Sequence, residues 1–156
     1  MTSVHETAFA LLKEGDIAPK FKLSAFPAGE ISLDQFKGKK NVLLAFYPKD
    51  DTPGCTKEMC AFSEDLSKFA SANTEVLGIS CDDVKSHEKF AGKFGLKQHL
   101  LADPAGKIAK LYGTLKESGT SANRKLFVID KQGVIRHIHE GMPTNETLLS
   151  VLQSLK

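Results

Sequence analysis

Residues 41–62 read NVLLAFYPKDDTPGCTKEMCAF, and this stretch changes character twice. Asn41-Val-Leu-Leu-Ala-Phe46 is a continuous apolar run, the pattern of a buried strand. Pro48 to Asp51 ends that strand, and Met59, Phe62, Leu66 and Phe69 then recur at helical spacing. Thr52 stands as the N-cap of the helix and Pro53 as its first residue, a position that does not need the missing N–H. Cys55 falls at the third helical position, where a capping box would carry a glutamate. A thiolate there meets unpaired backbone N–H groups and the positive end of the helix dipole. The helix is expected over residues 53–71, with Cys55 on the stripe that faces the sheet and Cys60 off it.

Cys60 lies five residues beyond Cys55. In an ideal helix that spacing separates the two Cα atoms by about 8.6 Å, whereas a disulfide tolerates roughly 7 Å at most. The two cysteines cannot bond while the helix is intact. Any bond between them requires the first turns to unwind.

The composition, 41% hydrophobic and 26% charged over 156 residues, is that of one soluble globular domain. A net charge of +2 without a basic block gives no reason to expect nucleic acid or an anionic membrane as partner. No apolar segment approaches the ~20 residues of a membrane span. The opening MTSVHETAFALLKEGD lacks the basic start of a signal peptide. Three cysteines, an odd number, suit a reducing compartment better than a disulfide framework, so the cytoplasm is the expected location.

Residues 1–14 read as an N-terminal extension, a short helix or a tail, ahead of one domain over 15–156. A hairpin is expected at 21–33 around Phe26-Pro-Ala-Gly29, then a helical turn at 33–36. Strands follow at 41–47, 75–80 and 100–102, and helices at 84–94 and 107–112, each closed by a glycine. Leu126–Ile129 and Val134–His139 flank the turn Asp130-Lys-Gln-Gly133 as a second hairpin, and 145–155 forms a closing helix. The order gives an α/β fold, a mixed β-sheet with helices on both faces.

Arg124 is one of two arginines against many lysines, and it immediately precedes an apolar strand. A permanently charged planar fork of donors suits a buried thiolate better than a lysine does. C-x4-C is at the edge of zinc-ligand spacing, but no second ligand pair completes a site: His137-x-His139 does not match the usual spacing, and Cys81 is isolated. No metal is expected. Cys81 reads as structural, His5, His87 and His99 as surface or packing residues, and Asp50-Asp51 and Asp82-Asp83 as solvated loop charges.

At these residues the sequence resembles the peroxiredoxins, in particular the Q-type group also called bacterioferritin comigratory proteins. The family pattern P-x-x-x-T/S-x-x-C stands here as Pro48, Thr52 and Cys55. The likeness extends from Gly15-Asp-Ile-Ala-Pro19 through Gly78-Ile-Ser80 and Leu101-Ala-Asp-Pro104 to Asn123-Arg-Lys-Leu-Phe-Val-Ile-Asp130, leaving out the first 14 residues. It implies a thioredoxin-like fold and a peroxidase acting on hydrogen peroxide and organic hydroperoxides without a cofactor. By resemblance Cys55 is the peroxidatic cysteine, Thr52 and Arg124 hold the peroxide and thiolate, and Pro48 shields the pocket. Cys60 matches the resolving cysteine of the subgroup with both cysteines on one helix. Other Q-type members carry it on a later helix, and the corresponding segment here, 84–94, has none. Glu58 matches a frequent family acid whose role the sequence does not supply. The implied reductant is thioredoxin or a similar dithiol, and the expected state is a monomer. Two other readings remain at this point: a thioredoxin-type disulfide oxidoreductase, which would use C-x-x-C, and a non-enzymatic redox sensor or chaperone built on the same unwinding helix.

Overall fold

The computed structural model describes residues 11–155. Seven strands form one mixed sheet in the order β2-β1-β5-β4-β3-β6-β7. They are β1 (Lys22–Phe26), β2 (Gly29–Ser32), β3 (Asn41–Phe46), β4 (Thr74–Ser80), β5 (His99–Ala102), β6 (Lys125–Ile129) and β7 (Ile135–Glu140). The helices are α1 (Pro53–Glu64), α2 (Leu66–Ser71), α3 (Val84–Phe94), α4 (Lys107–Leu111) and α5 (Asn145–Gln153), with one 3-10 turn at Leu33–Phe36. β3, β4 and β5 run parallel, joined by α1–α2 and by α3, while β1–β2 and β6–β7 are antiparallel hairpins that flank them. The expected mixed sheet and both hairpins are present.

β3 sits in the interior of the sheet, and all six of its residues are buried. Its side chains alternate between two cores. Leu43 and Ala45 join Cys55, Met59, Phe62, Phe69, Phe90, Leu148 and Leu152, so α1, α2, α3 and α5 cover one face. Val42, Leu44 and Phe46 join Leu33, Phe36, Ile108, Ala109 and Tyr112, so the 3-10 turn and α4 cover the other. Helices thus lie on both faces, four against one. Gly78 in β4 permits the close approach of α1: a Cβ there would stand 3.0 Å from Met59 Sδ and from Leu100 Cδ2.

Two expectations need correction. The helix expected over 53–71 breaks at Asp65 (φ −105°, ψ 15°) into α1 and α2. The cause is tertiary: Asn145 at the start of α5 donates Nδ2 to Ala61 O at 2.9 Å and to Asp65 Oδ2 at 3.0 Å. The extension expected at 1–14 lies outside the described residues up to residue 10, and residues 11–14 are not helical. The chain joins the sheet just beyond, where Gly15 N donates to Ile135 O and Ala18 N to Gly133 O. No helix among the described residues is long and apolar enough to cross a membrane.

Candidate active site

α1 begins where the sequence places it, with Pro53 at its first position after Thr52 in extended conformation. Thr52 makes no side-chain cap bond. Its hydroxyl turns back instead and donates to Lys49 O at 2.9 Å, the local i−3 alternative open to threonine. The expected side-chain cap is therefore absent, with two consequences. The first-turn N–H groups of Gly54 and Cys55 remain available to an anion. The Thr52 oxygen, its proton committed to Lys49, presents lone pairs only.

Cys55 is 1% exposed and faces the sheet, as its place on the apolar stripe requires. Arg124 reaches it from the residue before β6, a position held by the backbone bond from Gly141 N to Arg124 O. Nη2 of Arg124 donates to Cys55 Sγ at 3.2 Å, and Nη1 donates to Glu58 Oε1 at 2.7 Å. One guanidinium fork thus spans the thiol and a carboxylate one helical turn apart. Burial works against the Arg124 charge, but the bonds to Cys55 and Glu58 outweigh it and hold its proton more firmly than usual. Gly54 makes room for this arrangement: a Cβ there would lie 3.1 Å from Arg124 Nη2.

Glu58 supplies what the sequence left without a role. Its side chain is 2% exposed, and its second oxygen, Oε2, has no partner. Burial pushes its pKa up to about 7, even though the bond to Arg124 and that residue's charge both pull it down. Near neutral pH the carboxyl is therefore divided between neutral and charged forms, and both can accept the Arg124 bond through Oε1.

The other expected residues are placed as follows. Cys60 is half-buried on the same unbroken helix, and all three cysteines are free. Burial, followed by the Glu64 charge, raises its pKa. Burial, Asp103 and Asp82 push the Cys81 thiol up to about 11, so it is not a ready nucleophile. Pro48 borders a cleft of about 400 Å³ with Lys49, Cys81, Asp82, Lys116, Thr120 and Ser121, a lining that does not include Cys55, Thr52 or Arg124. A larger cleft of about 690 Å³, lined by residues including Asn41, Lys68 and Leu155, lies at the start of β3. It has no reactive group in its lining, so volume does not locate the chemistry here. His137 Nδ1 lies 3.8 Å from Glu14 Oε2 and its ring 5.8 Å from that of His139. Among the described residues no group of three or more acidic, histidine or cysteine side chains is arranged to hold a metal.

Asp50 corrects the sequence reading, and His87 takes the packing alternative with a partner the sequence did not identify. Asp50 is not a solvated loop charge but 6% exposed, and His87 is fully buried. Asp50 Oδ1 accepts from Tyr47 Oη at 2.6 Å, and Oδ2 accepts from Ser86 Oγ at 2.8 Å and His87 Nδ1 at 2.7 Å. His87 Nε2 stands 2.8 Å from Leu101 O, so the Leu101 carbonyl and the Asp50 carboxylate hold the ring from its two sides. Asp50 N donates to Asp82 Oδ2, which Ser80 Oγ also reaches, while Asp83 caps α3 by accepting from Ser86 N. Together these bonds fix the loop between β3 and α1, in which Asp51 takes a left-handed conformation (φ 57°).

Comparisons with known proteins give the family and the fold. A model of the AhpC/TSA family matches residues 15–138. A chloroplastic peroxiredoxin Q of Populus jackii is 42% identical over 159 aligned residues, covering 99% of this chain and 74% of the relative. The crystal structure of peroxidoxin BcpB from Mycobacterium tuberculosis superposes with a TM-score of 0.85 at 29% identity, covering 93% of this chain and 99% of its own. The reduced 2-Cys peroxiredoxin of Plasmodium vivax superposes with a TM-score of 0.84 at 31% identity, covering 92% and 82% respectively. The chain belongs to the AhpC/TSA family, as a peroxiredoxin of the Q type.

Proposed function

We propose that this thiol-dependent peroxidase works through Cys55 as peroxidatic nucleophile and Cys60 as resolving cysteine, with thioredoxin or a similar dithiol as reductant. The observation that carries the reading is the 3.2 Å contact of Arg124 Nη2 with a buried Cys55 Sγ at the open N-terminus of α1. The Cys55 thiolate attacks the terminal oxygen of the hydroperoxide. The O–O bond breaks, Cys55 becomes a sulfenic acid, and the remaining oxygen leaves with a proton as water or alcohol. Thr52 accepts the peroxide O–H, since its own proton is held by Lys49 O. Arg124 and the first-turn N–H groups donate to the oxygens on which charge develops. Cys60 then condenses with the sulfenic acid to give an intramolecular disulfide and water, and the dithiol returns both sulfurs to thiols. Pro48, two residues beyond β3, takes the shielding role that the family resemblance implies.

With both cysteines on one helix, a monomer suffices for the cycle. A reducing compartment suits three free cysteines; the cytoplasm is one, and the Populus relative is named for the chloroplast. The substrates are hydrogen peroxide and organic hydroperoxides, with no role for nucleic acid or membrane.

A peroxide-consumption assay coupled to thioredoxin and its reductase tests the proposal. Cys55→Ser is expected to abolish turnover with the fold intact. A variant retaining a tenth of wild-type activity, about 1.4 kcal/mol in barrier, would contradict the nucleophile assignment. Cys60→Ser is expected to react once with peroxide, stall at the sulfenic acid and pass to sulfinic acid in excess oxidant.

A further inference from the structure

The two ends of α1 are held by contacts of different kinds. At the front, the Cys55 sulfur is tied to Arg124, a contact whose charge is lost once the thiolate becomes a sulfenic acid. At the back, the ties are neutral amides. Gln98, 2% exposed just before β5, donates Nε2 to Met59 O at 3.0 Å, and its Oε1 accepts from Ser63 Oγ. Ser63 Oγ in turn accepts from Lys97 N at 3.0 Å. Asn145 donates to Ala61 O and to Asp65 Oδ2. The carbonyls on either side of Cys60, those of Met59 and Ala61, are thus each bonded to a side chain from outside the helix. None of these bonds involves the Cys55 sulfur.

We infer that Gln98, seconded by Asn145, is a positioning residue for the resolving step: it pins the Cys60 half of α1, so that unwinding is confined to the turns before it and Cys55 is the cysteine that travels. The inference rests on the Cys55–Cys60 pairing proposed above. Joining the sulfurs requires closing a Cα separation of about 8.6 Å to roughly 7 Å or less, and with Met59 and Ala61 held the shortening comes from residues 55–58. In that step the S–S bond forms, the S–O bond of the sulfenic acid breaks, and the hydroxyl leaves as water with the Cys60 proton. The competing reaction transfers an oxygen from a second peroxide to the unresolved sulfenic acid, giving sulfinic acid and water. By confining the opening to these few residues, Gln98 limits how readily the two sulfurs meet and therefore sets the ratio of these two products.

The test uses the full chain, oxidised by hydrogen peroxide without reductant, and compares wild type with Gln98→Ala. In the wild type, oxidation should deprotect backbone amides of residues 55–60 while residues 61–65 stay protected. In Gln98→Ala the deprotection should extend through residue 65. The sulfinic fraction at a fixed peroxide excess should fall about fivefold, the factor that one net hydrogen bond represents. The rate of the first oxidation should be unchanged, because Gln98 touches neither Cys55 nor Arg124. A residue that merely stabilised the fold would alter protection in the reduced state and leave the product ratio alone. Should Gln98→Ala fail to fold, Asn145→Ala removes the bond to Ala61 O and is read in the same way. A variant with the wild-type exchange boundary and product ratio overturns the inference. A wild type that forms no Cys55–Cys60 disulfide overturns the pairing itself, and the two failures are told apart by peptide mapping.

Discussion

Two buried carboxylates flank the start of α1, and they are built in opposite ways. Asp50 accepts three side-chain donors, from Tyr47, Ser86 and His87, and neither of its oxygens is left without one. Glu58 accepts one, from Arg124, and leaves Oε2 buried without a partner. Around Asp50 the cost of desolvation is offset by bonds on every side, and the Tyr47 hydroxyl is held well above its ordinary pKa by burial and by Asp50 itself. Around Glu58 it is not, and burial raises the acid to about 7. A complete network fixes a loop. An incomplete one leaves a cation with charge to share, and Arg124 shares it with the Cys55 sulfur.

Cutting the two clusters should therefore damage different properties. Asp50→Ala strands the His87 imidazole and the Tyr47 hydroxyl in the interior, and removing one member of such a buried set costs about 3–5 kcal/mol. A fall of that order in denaturant-unfolding free energy is expected, and a loss well under 1 kcal/mol would show that the network is dispensable. Arg124→Lys keeps a charge but loses the fork that reaches Cys55 and Glu58 together. Stopped-flow oxidation by peroxide should slow by about tenfold or more, in line with removal of one aligned donor, while the unfolding midpoint moves little. An unchanged rate would make Arg124 an ordinary half-buried charge.

Glu58 sharpens the comparison through pH. Its folded pKa, about 7, lies above the 4.5 of the free side chain, so between these values the folded state holds the proton more tightly. This contribution to stability is full below about pH 4.5 and is lost as pH rises through about 7. Each pH unit of that window corresponds to about 1.4 kcal/mol at most. Glu58→Gln should flatten the decline, and urea titrations at pH 5, 6 and 7 with the same slope in both proteins would contradict the assignment. The smallest effect belongs to Gly54→Ala. The added methyl must displace Arg124 Nη2 from 3.1 Å by a few tenths of an ångström, and oxidation should slow by no more than about threefold, a barrier change of under 1 kcal/mol.

Much of this molecule is legible from local rules. The apolar run at 41–46, the Thr52-Pro53 entry and the stripe from Cys55 to Phe62 place Cys55 at a helix start against the sheet, and the structure puts it there. Arg124 stands out because an arginine among lysines precedes a buried strand, and it lies on the sulfur. What the sequence hides depends on distant partners. His87 is 37 residues from Asp50, and Asn145 is 80 from the Asp65 that interrupts the helix. An aspartate in a loop reads as solvated until the histidine that buries it is known. Thr52 shows a different limit, because two local bonding options compete for one hydroxyl and the sequence does not rank them.

The central claim is that Cys55 and Cys60, separated by an intact helix in the reduced enzyme, become bonded in the oxidised one. Peptide mapping by mass spectrometry, after one equivalent of hydrogen peroxide and alkylation without reduction, tests it directly. The account predicts an intramolecular Cys55–Cys60 disulfide, with Cys81 alkylated as a free thiol. A Cys55–Cys81 bridge, or a disulfide between two chains, would contradict the same-helix mechanism.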